Sequence, residues 1–247
     1  MDYIPPQIFL CFSGKDRKTV VQSMMHHLKN YGMNIWYDYH ETLLGDDLYE
    51  SNFKNGILKT KYAVVILSDN FSSSKMANKE LDLIYYQRNN NNITIFPIFY
   101  NINPNLLPHR YRWIKKLKYR EVTKRTGTLS TCHQIVCKIL GDLIDNINLQ
   151  SHKNDLDEYF YDSYFKTMVE FYRKIDKNNL NAKIATLFSI YFYIKYHCLQ
   201  KIPKFIECIF DRLISYTKLS IKLDNRELQI MERCIIFIII NNQYLVK

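Results

Sequence analysis

Three short runs in the first hundred residues are apolar at almost every position: Ile8-Phe9-Leu10-Cys11-Phe12, Tyr62 to Leu67, and Ile93 to Tyr100. A strand with one face in water alternates polar and apolar side chains. A run without alternation is buried on both faces, which is the habit of strands in a parallel sheet. Such a sheet needs a layer of helices on each side, and amphipathic helical stretches separate the runs.

Followed along the chain, the pattern is regular. After the first run Ser13-Gly14 ends the strand, and Asp16 is placed to cap a helix reaching about Asn30, where Tyr31-Gly32 breaks it. Met33 to Asp38 reads as a second strand, Tyr39 to Gly45 as a loop, and Asp46 or Asp47 to Leu58 as a helix. Tyr62 to Leu67 is the third strand and Ala77 to Arg88 the next helix, stopped by four asparagines. The fourth strand, Ile93 to Tyr100, carries Pro97, which lacks a backbone donor and implies a sheet edge or a bulge there. A weak fifth strand near Tyr119 to Val122 and a helix from Thr128 to Ile147 complete an α/β unit over residues 1–150.

Beyond residue 150 the strand signals stop. Asp155 to Lys177 has helical periodicity, a second helix follows Asn178-Asn179, Pro203 suits the first turn of a third, and Asp224-Asn225-Arg226-Glu227 resembles a capping box opening a fourth. Residues 151–247 are therefore expected to be an all-helical bundle domain. Its many Tyr and Phe residues suit a bundle core first and a protein-contact surface second.

Composition narrows the function classes. Hydrophobic residues make up 47% of the chain, ample for a packed core, and the formal net charge of +10 favours anionic partners. The six cysteines form no paired framework and read as reduced, buried thiols, which suits a cytoplasmic protein. Cys132-His133 with Cys137 lacks the second ligand pair of a metal site, so no metal is expected. No signal peptide opens the chain, and the apolar run Ile235 to Ile240 is too short to span a bilayer, so no membrane association is expected. His109 and His133 have no evident partner for nucleophilic chemistry, and no nucleic-acid motif is present, so nucleic acid is not an expected partner.

The segment Ser74 to Leu81 carries the sharpest functional signal. It follows the third strand, and ligands of open α/β sheets bind beyond the carboxyl ends of the strands. Glu80, on the helix that follows, is then near a ligand site. Its alternative role is a helix-start charge complementing the dipole. Asp38 and Ser68 end the second and third strands; each also suits a local capping role. Gly14 allows close backbone approach to a ligand, and Lys15 is either a point charge for a pyrophosphate or a solvated surface residue.

Several of these strings agree with one family. Residues 7–150 resemble a TIR (Toll/interleukin-1 receptor) domain: Ile8 to Asp16 for its first box, Ile35-Trp36-Tyr37-Asp38 and Leu43-Leu44-Gly45-Asp46 for its second strand and mobile loop, Val64 to Ser68, Asn78-Lys79-Glu80-Leu81, and Ile95 to Tyr100. The resemblance implies a flavodoxin-like fold with a parallel five-stranded sheet. It also implies one of two functions: NAD+ cleavage at the nicotinamide–ribose bond, giving ADP-ribose or a cyclic isomer, or a non-catalytic scaffold that binds other TIR domains. Under the first, Glu80 is catalytic, and Phe12, Ser13, Gly14, Lys15, Asp38, Ser68 and Met76 contact the nucleotide. NAD+ is then a substrate, with no cofactor. TIR–TIR self-association, an effector reached through a nucleotide product and a part in bacterial anti-phage defence are also implied. Two departures stand out: Met76 occupies a place where catalytic relatives often carry tryptophan, and Ser13-Gly14 stands where some have arginines.

Overall fold

The computed structural model describes residues 6–37, 44–45, 47, 50, 53, 56–90, 93–147, 162–197 and 202–241, with 148–150 as backbone only. The chain divides into two compact units, residues 5–132 and 133–247. Among the described residues no helix is long and apolar enough to cross a membrane.

The first unit is built on five parallel strands: β1 (Ile8–Cys11), β2 (Ile35–Trp36), β3 (Tyr62–Leu67), β4 (Thr94–Tyr100) and β5 (Arg120–Val122). Their order is β2-β1-β3-β4-β5. This is the flavodoxin-like arrangement, whose strand order reverses between β1 and β3. Cys11, the last residue of β1, lies level with Val65, and β3 runs two residues further, to Leu67. The apolar runs behave as their composition requires. Phe9, Cys11, Ala63, Val65, Leu67 and Phe99 share one core cluster, while Ile8, Leu10, Val64 and Ile66 are equally buried and point the other way.

Pro97 is tolerated for a visible reason. β5 pairs only Ile98 to Tyr100, so Thr94 to Pro97 has a neighbouring strand on the β3 side alone. The segment after β1 departs from expectation. It begins as a 3-10 turn (Gly14–Asp16), continues through a π stretch (Arg17–Val21) and settles into α1 (Gln22–Asn30), and the Asp16 side chain caps none of it. Gly32, with φ of 69°, takes the left-handed turn that ends this helical run.

A short helix unforeseen in the sequence, α2 (Asp69–Ser73), follows β3, and α3 (Lys75–Asn89) starts two residues earlier than its pattern implied. Serines set both starts: Ser68 Oγ accepts from the Phe71 N–H at 3.2 Å and Ser74 Oγ from the Ala77 N–H at 3.3 Å. The helix expected between Asp46 and Leu58 falls largely outside the described residues.

The second unit is helical. It takes most of α4 (Leu129–Gln150), which the chain crosses from one unit into the other, then α5 (Ser163–Lys174), α6 (Leu180–His197), α7 (Lys204–Lys218) and α8 (Asn225–Asn241). The capping box at α8 is formed as its sequence implies, with the Asp224 N–H donating to Glu227 Oε2 at 2.8 Å. The run Ile235 to Ile240 lies inside α8. Tyr191 and Phe210 stack at 3.9 Å in the core, whereas Tyr164, Phe171 and Tyr196 are exposed. The histidine reading needs one correction. His133 does have a carboxylate partner, since its Nε2 lies 3.1 Å from Glu227 Oε1, both buried.

Candidate functional site

The switch point between β1 and β3 gathers the chemistry. Glu80 lies in the second turn of α3, past its first four residues, and is only 6% exposed. A helix-start charge would sit in the first turn and face water, so complementing the dipole does not account for this residue. Its neighbour is the end of β1. The Cys11 thiol is fully buried, donates to the Ala77 carbonyl oxygen at 3.5 Å and lies beside the Glu80 side chain. Burial first, and the Glu80 charge second, push the Cys11 thiol well above its ordinary range. The thiol therefore stays protonated, a donor facing a buried carboxyl.

The helix carrying Glu80 is fixed by a residue that sequence reading passed over. Asn78 Nδ2 reaches three backbone carbonyls, of Phe71 (3.2 Å), Ser72 (3.2 Å) and Ser74 (2.8 Å), and Asn78 Oδ1 accepts from the Tyr111 hydroxyl. One side chain thereby ties the end of α2 to the start of α3 and sets where Glu80 emerges. Its signal was a polar residue on the apolar side of a helix, two positions before the candidate acid.

The other candidates fall into two groups. Ser68 is buried, and its hydroxyl donates to the buried Asp16 carboxylate while accepting from Phe71; Asn70 Nδ2 donates to the other Asp16 oxygen at 2.8 Å. The loops after β1 and β3 are thus laced together by Asp16, and Ser68 has the local role that its position also allowed. Phe12 and Ser13 are buried, Gly14 and Lys15 exposed, and Met76 half-buried in the first turn of α3. A side chain at Gly14 would meet nothing within 4 Å, so the space above it is open. Asp38 lies outside the described residues.

Arg17, also passed over, lies 5.2 Å above the rings of both Phe12 and Tyr37, which stack at 6.1 Å. A guanidinium spread over two rings thus stands beside the β1 end, three residues after Gly14.

A cleft of about 110 Å³ opens at the ends of β3 and β4, walled by Leu67, Ser68, Phe71, Ile102, Leu107 and Tyr111 among others. Ser68 is the one candidate among its walls; Glu80 is not. The volume is a few waters' worth, well short of the several hundred Å³ that enclose a nucleotide.

The model of one family, the TIR domain, matches residues 8–129. This segment is a TIR domain. Curated relatives share it. One is "NAD(+) hydrolase TcpA" of Theionarchaea archaeon, 30% identical over 38% of this chain and 29% of that protein. Another is "NAD(+) hydrolase TcpC" of Escherichia coli, 38% identical over 38% of this chain and 31% of that protein. A third is "2' cyclic ADP-D-ribose synthase AbTIR" of Acinetobacter baumannii, 30% identical over 40% of this chain and 36% of that protein. The chain spans about a third of each relative's length.

Proposed function

We propose that the TIR domain cleaves NAD+ at the nicotinamide–ribose bond and passes the ribosyl group to water or to a hydroxyl of the same molecule. The observation that carries this reading is Glu80, a carboxylate 6% exposed at the switch point of a flavodoxin-like sheet. The matching relatives named as NAD+ hydrolases and as a 2′ cyclic ADP-ribose synthase support it.

The chemistry asks little of the protein beyond that group. The C1′–N bond breaks with its electron pair going to the pyridinium nitrogen, so nicotinamide leaves neutral and needs no general acid. Positive charge develops on the ribose, and a nearby carboxylate stabilises it. Water then attacks C1′ and releases a proton, giving ADP-ribose; a hydroxyl of the same molecule attacking instead gives a cyclic isomer. Phe12, Ser13, Gly14, Lys15, Asp38, Ser68 and Met76 are the proposed contacts of the nucleotide, with Arg17 beside the pyrophosphate. A product that acts as an anti-phage signal on a separate effector is the biological form this proposal takes.

A second reading has its own support. Leu44, in the loop after β2, is fully exposed. An exposed apolar side chain beyond β2 is available to a protein partner, which is what a TIR scaffold would use. The two readings combine if a neighbouring copy completes the site.

Purified protein incubated with NAD+ at low and at high concentration separates them. The catalytic reading expects nicotinamide release, lowered about 100-fold or more by Glu80→Gln, which corresponds to about 2.7 kcal/mol of lost transition-state stabilisation. No release at any concentration, with a folded protein, leaves the scaffold. Chromatography and mass spectrometry of the product then distinguish hydrolysis from cyclisation.

A further inference from the structure

Positive charge is concentrated in one short stretch of the TIR unit. Residues 110–125 hold eight Lys or Arg against one acid, Glu121, a surplus of seven in a chain whose net charge is +10. The stretch runs through the 3-10 segment His109–Lys116 into β5, the edge strand of the sheet. Arg112, Lys116, Lys118, Lys124 and Arg125 are exposed and have no carboxylate partner among the described residues. Soluble surfaces ordinarily intersperse the two signs, because massed like charges repel. A track of one sign is the footprint of an anionic partner.

The fold adds a second element beside this track. On α3, Asp82, Tyr85 and Tyr86 share one face. Asp82 takes both oxygens to Arg110, at 3.1 and 3.2 Å, and Tyr85 packs against Trp113 at 4.6 Å between ring centroids. The Arg88 guanidinium covers the same indole at 5.8 Å. Tyr85 and Tyr86 remain 40% and 64% exposed. Tyr85 is therefore held against the basic edge by an ion pair and a ring contact, and Tyr86 lies beside it on the same helix.

We infer that this face, the outer side of α3 with the basic edge through β5, binds single-stranded nucleic acid. Phosphates lie along the Lys and Arg track, and bases stack on Tyr85 and Tyr86. The rings decide the partner class. Exposed rings beside a basic track suit a strand whose bases are free to stack, whereas a duplex hides its base faces. Strand binders that pair a basic track with aromatic platforms take roughly 4–16 nucleotides. No linear motif announces the site because the platform and the track come from separate segments that meet only in the folded unit. The inference is independent of NAD+ cleavage, since Glu80 takes no part in it.

The test uses the full chain and a fluorescein-labelled dodecathymidylate, with anisotropy measured across a KCl series. Reversing four charges, Lys116→Glu, Lys118→Glu, Lys124→Glu and Arg125→Glu, is expected to weaken binding at least tenfold and lower the slope of log K against log[KCl] by about 3. Tyr86→Ala is expected to weaken binding about tenfold with the slope unchanged. A matched control in the helical unit, Lys174→Glu, Lys177→Glu, Lys218→Glu and Lys222→Glu, changes net charge equally and is expected to bind within about twofold of the unmodified chain. Glu80→Gln is expected to bind as the unmodified chain does, whether or not NAD+ is cleaved. Equal losses in track and control variants overturn the inference. So does a Tyr86→Ala variant that binds normally, or competition by polyglutamate, anionic vesicles or duplex DNA as effective as that of the single strand at equal charge. Should the fourfold reversal lower the melting temperature, Lys118→Glu alone reads the same slope, with an expected change of about 0.7.

Discussion

A carboxyl group 6% exposed, as at Glu80, needs polar partners in its surroundings, and the Cys11 thiol lies beside it. The same logic governs Asp16, 2% exposed, whose two oxygens are served by the Ser68 hydroxyl and the Asn70 amide. Ser68 does double duty, since its oxygen also caps α2 through the Phe71 N–H. Ser68→Ala removes a donor from a buried carboxylate and an acceptor from a helix start at once. The expected cost is about 2–4 kcal/mol, the sum of a broken charged hydrogen bond and a lost cap, read as a lower denaturation midpoint with unchanged slope. Nothing in residues 66–70 alone reveals this, because the partner lies 52 positions away.

At the scale of elements, the joint between α2 and α3 decides where the candidate acid sits. Asn78 Nδ2 lies within reach of three carbonyls at that joint; those of Phe71 and Ser74 also accept backbone N–H groups, so the Ser72 carbonyl depends on it most. Asn78→Ala is expected to destabilise the protein by about 1–3 kcal/mol. NAD+ cleavage is expected to fall more than the unfolded fraction explains, because Glu80 loses its placement; activity assayed well below the melting temperature checks this. A second element carries a pH dependence. Asp162 caps α5, accepting from the Phe165 N–H at 2.7 Å and from the Tyr193 hydroxyl at 2.5 Å. The tyrosine hydroxyl first, then the backbone N–H, hold its carboxyl below the usual carboxylate value. A lowered folded-state pKa favours the folded form above the ordinary value of about 4, and the benefit is lost as pH falls through the lower folded value. The first-turn amides of α5 are expected to lose hydrogen-exchange protection as pH drops below about 4, after correction for intrinsic exchange. Asp162→Asn keeps an acceptor oxygen and is expected to remove that pH dependence.

For the whole molecule, catalysis as proposed is expected to depend on assembly. One chain's described residues enclose about 110 Å³ in their cleft, and the acid is outside it. If the proposed site is completed by a second copy, the exposed Leu44 after β2 is the residue that tests that contact. Specific activity should then rise with protein concentration and flatten once the oligomer saturates. Leu44→Asp is expected to abolish that rise, and light scattering should report the same variant as smaller at the concentration where the unmodified chain assembles. A specific activity independent of concentration, from a monomer, would place the whole site within one chain.

Local composition was enough for the sheet. Unbroken apolar runs can be buried only on two faces, so parallel strands with helices on both sides followed from residues 8–12, 62–67 and 93–100 without any distant information. Glu80 was legible for a similar reason, through its place after a strand end and the string around it. The capping box at Asp224 was equally local. What sequence left open depends on groups that meet only when the chain is packed. The side chain of Asp16 is well suited to a cap by type, yet the fold turns it toward Ser68 and Asn70. His133 reads as solitary until α8 brings Glu227 to it. The short helix α2 hides in a polar stretch, Asp69 to Ser73, whose residues favour a loop as readily as a turn of helix. Periodicity and caps act over a few residues and are written in order along the chain. Charge partners, cleft walls and the stacking platform beside the basic edge are set by tertiary contact, which linear spacing does not encode.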